Sequence, residues 1–374
     1  MRVLFFQGFV SPDRDYKASD AVGYGITTAE AIMEGLSARG VDVVPVTPPP
    51  PPSLDQERRR LAWILDGYKA LLDLDLQTFD LIFIFHSFQQ FPAEMRRILC
   101  DLKMPVPIVG YSLGSHWDPT DTFRFIHYPD MEVVDLANLL SLDRVLLPSE
   151  FAREVILENV AAWQPEAARR LKEKIAVVGL PIASHRMDAC RTGERFERTT
   201  ILFNHSLVPS KQPELFAEVA ARALEKHDVN VLLTRQVEDE ALRGRFQALQ
   251  ARFPERLILG NTYSIDDYFR TVWKADIQVS TATHEHLGIA TLEAMYAHTC
   301  CILPNRCSYP EITGGYGDVL YSSTEELEEK LDYYLANRSA REEAAATLHE
   351  RSLRYRPEEV VSRLMAVLSE LADE

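Results

Sequence analysis

The stretch STATHEHLGIATLEAMYAHTCCILPNRCSYPEI, Ser280 to Ile312, decides how the rest of the chain is read. Just ahead of it, Ala275-Asp276-Ile277-Gln278-Val279 has the length and apolar content of a short buried strand. After a polar loop, Gly288 is followed by apolar residues at helical spacing: Ile289, Leu292, Ala294 and Met295. A strand, a loop and a helix with a small, open first turn make a place for an anion. The first-turn N–H groups lack partners within the helix, and the helix dipole adds partial positive charge there. Glu285 in the loop and Glu293 in the helix bracket that turn. A phosphate would meet the helix end, and the two carboxylates would accept hydrogen bonds from hydroxyls beside it. Phosphate and polyol together imply a nucleotide sugar.

Glu285 and Glu293 are separated by seven residues, with Gly288, Leu292 and Ala294 in register. The pattern resembles the E-x7-E signature of retaining GT-B glycosyltransferases, in particular the large glycosyltransferase family 4. The tail Pro304-Asn305-Arg306-Cys307-Ser308-Tyr309-Pro310-Glu311-Ile312 is similar, within that group, to the glycosyltransferase-like domain proteins that mannosylate queuosine in tRNA. The resemblance implies an α/β GT-B fold, two doubly wound Rossmann-like domains facing across a cleft. It implies a hexosyltransferase that takes a UDP- or GDP-linked sugar as co-substrate.

Carried over, Glu293 would hold the ribose hydroxyls and Glu285 would lie at the donor sugar as a catalytic residue. Gly288, Ile289 and Ala290 would meet the diphosphate. The family grips that diphosphate with an Arg and a Lys five residues apart. Here the Lys position is Lys211 and the Arg position is Ser206, so Arg235 or Arg306 would have to compensate. The loop Asn261-Thr262-Tyr263 falls where the nucleobase sits, with Tyr263 as a stacking face. On the acceptor side the resemblance implies a glycine loop, Gly23-Tyr24-Gly25, and a catalytic histidine, His116, with His86 as its rival. His284 and His286 flank Glu285 and look like a metal pair, but an i, i+2 pair in a loop is weak evidence and the family generally works without a bound metal; no metal and no further cofactor are expected. Ser206 at the Arg position also fits a second class, a GT-B pseudo-enzyme or binding module that holds a nucleotide without transfer. A tRNA-modifying transferase and a GT-B epimerase are further alternatives.

At 374 residues the chain is too long for one ordinary core and fits two domains of similar size. Its net charge of −16 opposes unguided attraction to nucleic acid or anionic membrane, which leaves a small molecule or glycan as the expected acceptor. No apolar run approaches the length that spans a bilayer. The five cysteines are odd in number and show no paired-ligand spacing, the pattern of reduced thiols, and the expected compartment is cytoplasmic.

Strand-like and helix-like segments alternate from the start with no hairpin signal, which argues for doubly wound sheets. Arg2–Phe6 reads as the first strand, and Thr27 or Thr28 as the cap of a helix from Ala29 to Arg39. The prolines of 48–52 enforce an extended surface loop. The first domain is expected over 1–183 and the second, nucleotide-sugar-binding one over 199–356. The stretch 184–198 has no apolar period and reads as the linker, and the segment 357–374 reads as an amphipathic helix, which the resemblance to GT-B proteins implies would cross back to the first domain.

Overall fold

The computed structural model describes residues 1–7, 24–46, 65, 68–69, 71–87, 91–121, 130–237, 239–260 and 264–373. The chain divides into two compact units. The first holds Gly25–Pro181, the strand ahead of it and Pro357–Glu374, and the second holds Ile182–Arg356.

The first unit carries β1 (Arg2–Phe6), β2 (Asp42–Val46), β3 (Leu81–Ile84), β4 (Ile108–Tyr111), β5 (Arg144–Leu147) and β6 (Ile175–Val177). They form one parallel sheet in the order β2-β1-β3-β4-β5-β6. Helices cover both faces of such a sheet, and β3, β4 and β1 beyond Arg2 are accordingly apolar. Leu4, Ile82, Ile108 and Val145 sit in one cluster with Leu99, Leu136 and Ile156 from three of its helices. Ser149 caps the helix Glu150–Trp163, accepting from the N–H of Ala152 at 3.0 Å.

The helix expected from Ala29 starts instead at Tyr24 and ends at Ser37. Thr27 and Thr28 therefore lie inside it. The Thr28 hydroxyl is buried and donates to the carbonyl of Pro181 at 3.2 Å, a tertiary partner in place of a capping role. Gly23 and the prolines of 48–52 lie outside the described residues. The helix Pro357–Asp373 buries Val360, Val361, Leu364 and Leu368, each burial worth about 2 kcal/mol. Gly35 leaves room for it: a Cβ there would lie 2.6 Å from a methyl of Val361.

The second unit carries β7 (Thr200–Phe203), β8 (Asn230–Leu233), β9 (Leu257–Ile258), β10 (Ile277–Val279), β11 (Cys300–Pro304) and β12 (Leu320–Tyr321). Its sheet is parallel, in the order β12-β11-β10-β7-β8-β9. This is the order of dinucleotide-binding sheets, and it reverses between β7 and β10. Loops leaving the carboxyl ends of those two neighbours turn to opposite faces and open a crevice.

Residues 184–198, read as a linker, lie within this unit. Ser184–Ala189 is a helix, and the indole of Trp273 donates to the Met187 carbonyl at 2.7 Å. The Arg195 guanidinium donates to the carbonyls of Ala275 and, at 2.7 Å, His298. Phe196 N–H reaches the Lys274 carbonyl at 3.2 Å. The stretch lacks an apolar period because it is tied down by hydrogen bonds to backbone carbonyls. All five cysteines are free. Among the described residues no helix is long and apolar enough to cross a membrane.

Candidate functional site

The two loops that leave β7 and β10 are stitched together at the reversal point. The loop after β7 runs through Asn204 and His205 to a short 3-10 turn, Pro209–Lys211. Thr281, just past β10, donates from its hydroxyl to the carbonyls of Lys211 (2.7 Å) and Gln212 (3.0 Å). Thr283 N–H reaches the Ser210 carbonyl at 2.8 Å. This fixes the ammonium of Lys211 at 2.8 Å from the carboxylate of Glu285 and 2.7 Å from the His284 carbonyl. An ammonium has three N–H donors, so one remains for a ligand. Burial is the largest single influence and pushes the Glu285 carboxyl up, but the charge and hydrogen bond of Lys211, with His205 and His284, together outweigh it and bring the carboxyl below its ordinary range. Glu285 is ionised at neutral pH.

Gly288 turns the loop into the helix Ile289–Tyr296. It has φ +90°, and a Cβ there would lie 3.3 Å from Cγ of Glu285. A side chain would be both strained and crowded at this point. No side chain caps the helix, so its first-turn N–H groups are offered at the crevice. The tail of the quoted stretch braces the loop from behind. Ser308 donates to the Glu285 carbonyl at 3.1 Å, and Tyr309 and Ser280 share a hydroxyl contact of 2.7 Å.

Glu293 is buried one turn into that helix and accepts the Tyr268 hydroxyl at 2.6 Å. Burial pushes its carboxyl up to about 7, against the opposing pull of Tyr268 and the Arg235 charge. Asn204 donates to the Tyr268 oxygen (3.2 Å) and to the Ala290 carbonyl (2.7 Å). Gln278, wholly buried in β10, donates to Asn204 Oδ1 at 3.2 Å and lies 2.9 Å from His205 Nε2. His205 is driven down to about 4 by burial and then by Lys211, and is neutral. The Arg235 charge bears on His205, Tyr268 and Glu293 alike, whereas that of Arg306 bears on Tyr321.

Of the residues picked from the sequence, Lys211, Glu285, Gly288, Ile289, Ala290 and Glu293 come together here. Ser206 is exposed on the loop after β7. Asn261, Thr262 and Tyr263 lie outside the described residues, but Gly260 before them is pinned. A Cβ there would lie 2.4 Å from the Leu233 carbonyl, so only glycine lets β9 end this close to β8. In the first unit His116 is buried at the end of β4, its backbone N–H and the Ser115 hydroxyl each 3.0 Å from Asp135 Oδ2. His116 Nδ1 is 3.5 Å from the same oxygen. His86 is also buried, past the end of β3, and Tyr24 and Gly25 open the helix that ends at Ser37. Asn204, His205, Tyr268 and Gln278 were not picked. Gln278 could have been, since one polar residue inside the apolar strand Ile277-Gln278-Val279 demands a buried partner.

Residues 191–350 match the family described as "Glycosyl transferases group 1". A curated relative, the tRNA-queuosine alpha-mannosyltransferase of Drosophila melanogaster, is 26% identical over 214 residues, 53% of this chain and 56% of the relative. The match thus spans about half the length of that relative. Among solved structures, the sucrose-phosphate synthase of Thermosynechococcus elongatus superposes with a TM-score of 0.70 at 13% identity, covering 99% of this chain and 98% of the other. "Trehalose-6-phosphate from E. coli bound with UDP-2-fluoro glucose" superposes with a TM-score of 0.71 at 12% identity, covering 100% and 99%. At these identities the likeness speaks to the fold, and the fold is GT-B.

Proposed function

We propose that this GT-B protein, which carries a group 1 glycosyl transferase domain over residues 191–350, moves a sugar from a nucleoside-diphosphate donor to an acceptor hydroxyl with retention of configuration. The observation that carries the reading is the uncapped start of the helix Ile289–Tyr296 at the β7/β10 reversal point, flanked by Lys211, Glu285 and Glu293. Breaking the bond between the anomeric carbon and the diphosphate builds negative charge on the departing phosphate. Fixed N–H dipoles and a cation stabilise that charge without reorganising. The first-turn N–H groups and the remaining N–H of Lys211 supply them here. Glu293 would accept the ribose hydroxyls, and Glu285, kept ionised by Lys211, would face the sugar. Arg235, whose charge bears on His205, Tyr268 and Glu293, would make good the serine at position 206. On the acceptor side His116, held by Asp135, is the candidate catalytic histidine. UDP-2-fluoro glucose in the E. coli structure supports a UDP- or GDP-linked donor.

A tRNA nucleoside as acceptor is a second reading, supported by the tRNA-queuosine alpha-mannosyltransferase relative. The net charge of −16 means that such a substrate would need a local basic surface.

The test is to incubate the protein with UDP- and GDP-hexoses and with either simple glycosides or queuosine-containing tRNA. Proton NMR then reads the anomeric configuration of the product. An α-linked donor giving an α-linked product supports the reading. Binding of nucleotide with neither transfer nor donor hydrolysis would favour a binding module.

A further inference from the structure

Glu293 does not stand alone in the crevice: it ends a chain of buried hydrogen bonds whose direction is fixed by its members' chemistry. The carbonyl of Ala290 can only accept, so the group of Asn204 lying 2.7 Å from it is the amide NH2. That leaves Asn204 Oδ1 as the acceptor for Gln278 Nε2 at 3.2 Å. The same NH2 donates to the Tyr268 oxygen at 3.2 Å, which turns the only hydrogen on that oxygen toward Glu293. The Tyr268–Glu293 contact is 2.6 Å, within the range of a hydroxyl bonded to a carboxylate and at the short end for hydroxyl hydrogen bonds in general. Each link runs one way: Gln278 to Asn204, Asn204 to Tyr268, Tyr268 to Glu293.

We infer that Asn204 and Tyr268 form a one-way relay that holds Glu293 as a carboxylate acceptor for the donor's hydroxyl groups, which makes Tyr268 a positioning residue of the donor site. This rests on the reading of Glu293 as the partner of those hydroxyls. A neutral carboxyl in the same place would present an O–H of its own, and its proton would compete with Tyr268 for the shared oxygen. The groups that bear on Glu293 are Tyr268 from the helix Ile265–Lys274 and the charge of Arg235 from the loop after β8, while Asn204 from the end of β7 reaches it through Tyr268. Tyr268 and Arg235 both favour the carboxylate against burial, and Tyr268 is the one in direct hydrogen-bond contact.

The discriminating variant is Tyr268→Phe, which keeps the ring and its packing on Phe269, 5.4 Å away between centroids, and removes only the hydroxyl. Binding of UDP and GDP is measured by calorimetry from pH 5.5 to 9 in the wild type, Tyr268→Phe and Glu293→Gln. Wild-type affinity should rise through about pH 7 and then level off. In Tyr268→Phe the midpoint should move up by about one pH unit, with roughly fivefold weaker binding at pH 7 and recovery at pH 9. Glu293→Gln should be flat over the range. A Tyr268→Phe curve that keeps the wild-type midpoint, whatever its melting temperature, would overturn the relay. Carbon-13 NMR of the Glu293 carboxyl reads the same midpoint without ligand. If no nucleotide binds the wild type but Tyr268→Phe still raises that midpoint, the donor reading fails and the relay stands. If the midpoint is unmoved, the relay itself fails.

Discussion

Lys211 and Glu285 lie 2.8 Å apart across the β7/β10 reversal point, an ion pair with 13% and 19% of its side chains exposed. The pair joins the two loops that form the crevice, so it serves the shape of the site as well as its charge. Lys211→Met would leave Glu285 as a poorly solvated, unpaired carboxylate and should cost on the order of 2 kcal/mol in urea unfolding. The double variant Lys211→Met/Glu285→Gln should recover most of that loss. Because the folded Glu285 carboxyl is lowered, its stabilisation is present at neutral pH and disappears as pH falls through the lowered value. The gap between wild type and Lys211→Met should therefore close on acidification. A gap that stays constant down to strong acid would contradict the pairing.

Glu293 has the opposite linkage. Its carboxyl is raised to about 7 in the folded protein, so the native state binds the proton more tightly than the unfolded chain. Stability is then highest below the ordinary glutamate range and falls as pH rises from about 4.5 to about 7, by on the order of 3 kcal/mol. Glu293→Gln removes that penalty while keeping an acceptor for Tyr268. It should melt higher than wild type at pH 8 and match it near pH 4.5. Equal melting temperatures at pH 8 would show that the carboxyl is not raised.

Two glycines test two separate constraints. Gly288→Ala must place a side chain at φ +90°, a cost of about 1–2 kcal/mol, and shifts the helix start against Glu285. Gly260→Ala has no unusual φ to satisfy, but its Cβ would overlap the Leu233 carbonyl and the Thr234 backbone. Backbone cannot move aside as a side chain can, so Gly260→Ala should be the more destabilising of the two. Denaturant midpoints measure this directly, and the reverse order would contradict the local geometry.

Ser206→Arg adds a second cation beside Lys211 at an exposed position. It should tighten binding of nucleoside diphosphates several-fold with little change in stability. Unchanged affinity would mean that Arg235 already fills the role.

The sheet architecture was legible because buried parallel strands are written as apolar runs: Arg2–Phe6 emerges with the bounds read from the sequence. Glu285, Gly288 and Glu293 were legible because they are close in sequence and fixed by one loop and one helix. The partners of Glu293 were not. Asn204, Tyr268 and Gln278 come from three different elements: the β7–β10 pairing brings Asn204 and Gln278 together, and the helix Ile265–Lys274 brings in Tyr268. The stretch 184–198 misled for a related reason. It is held by arginine and backbone hydrogen bonds, which leave no periodicity behind. The start of the helix at Tyr24 was missed because Thr27 and Thr28 carry a capping signature that a tertiary contact to Pro181 overrides.

The central claim is that the β7/β10 crevice of the second unit holds a nucleoside diphosphate by its phosphates and its ribose. Calorimetric titration at pH 8 with UDP, GDP and ADP, beside the matching monophosphates and nucleosides, tests it most directly. The account predicts that one diphosphate binds at least tenfold more tightly than its nucleoside, and that Glu293→Ala weakens it at least tenfold while the protein stays folded. A protein that binds no diphosphate better than the bare nucleoside, or that binds it equally well without Glu293, would contradict the account.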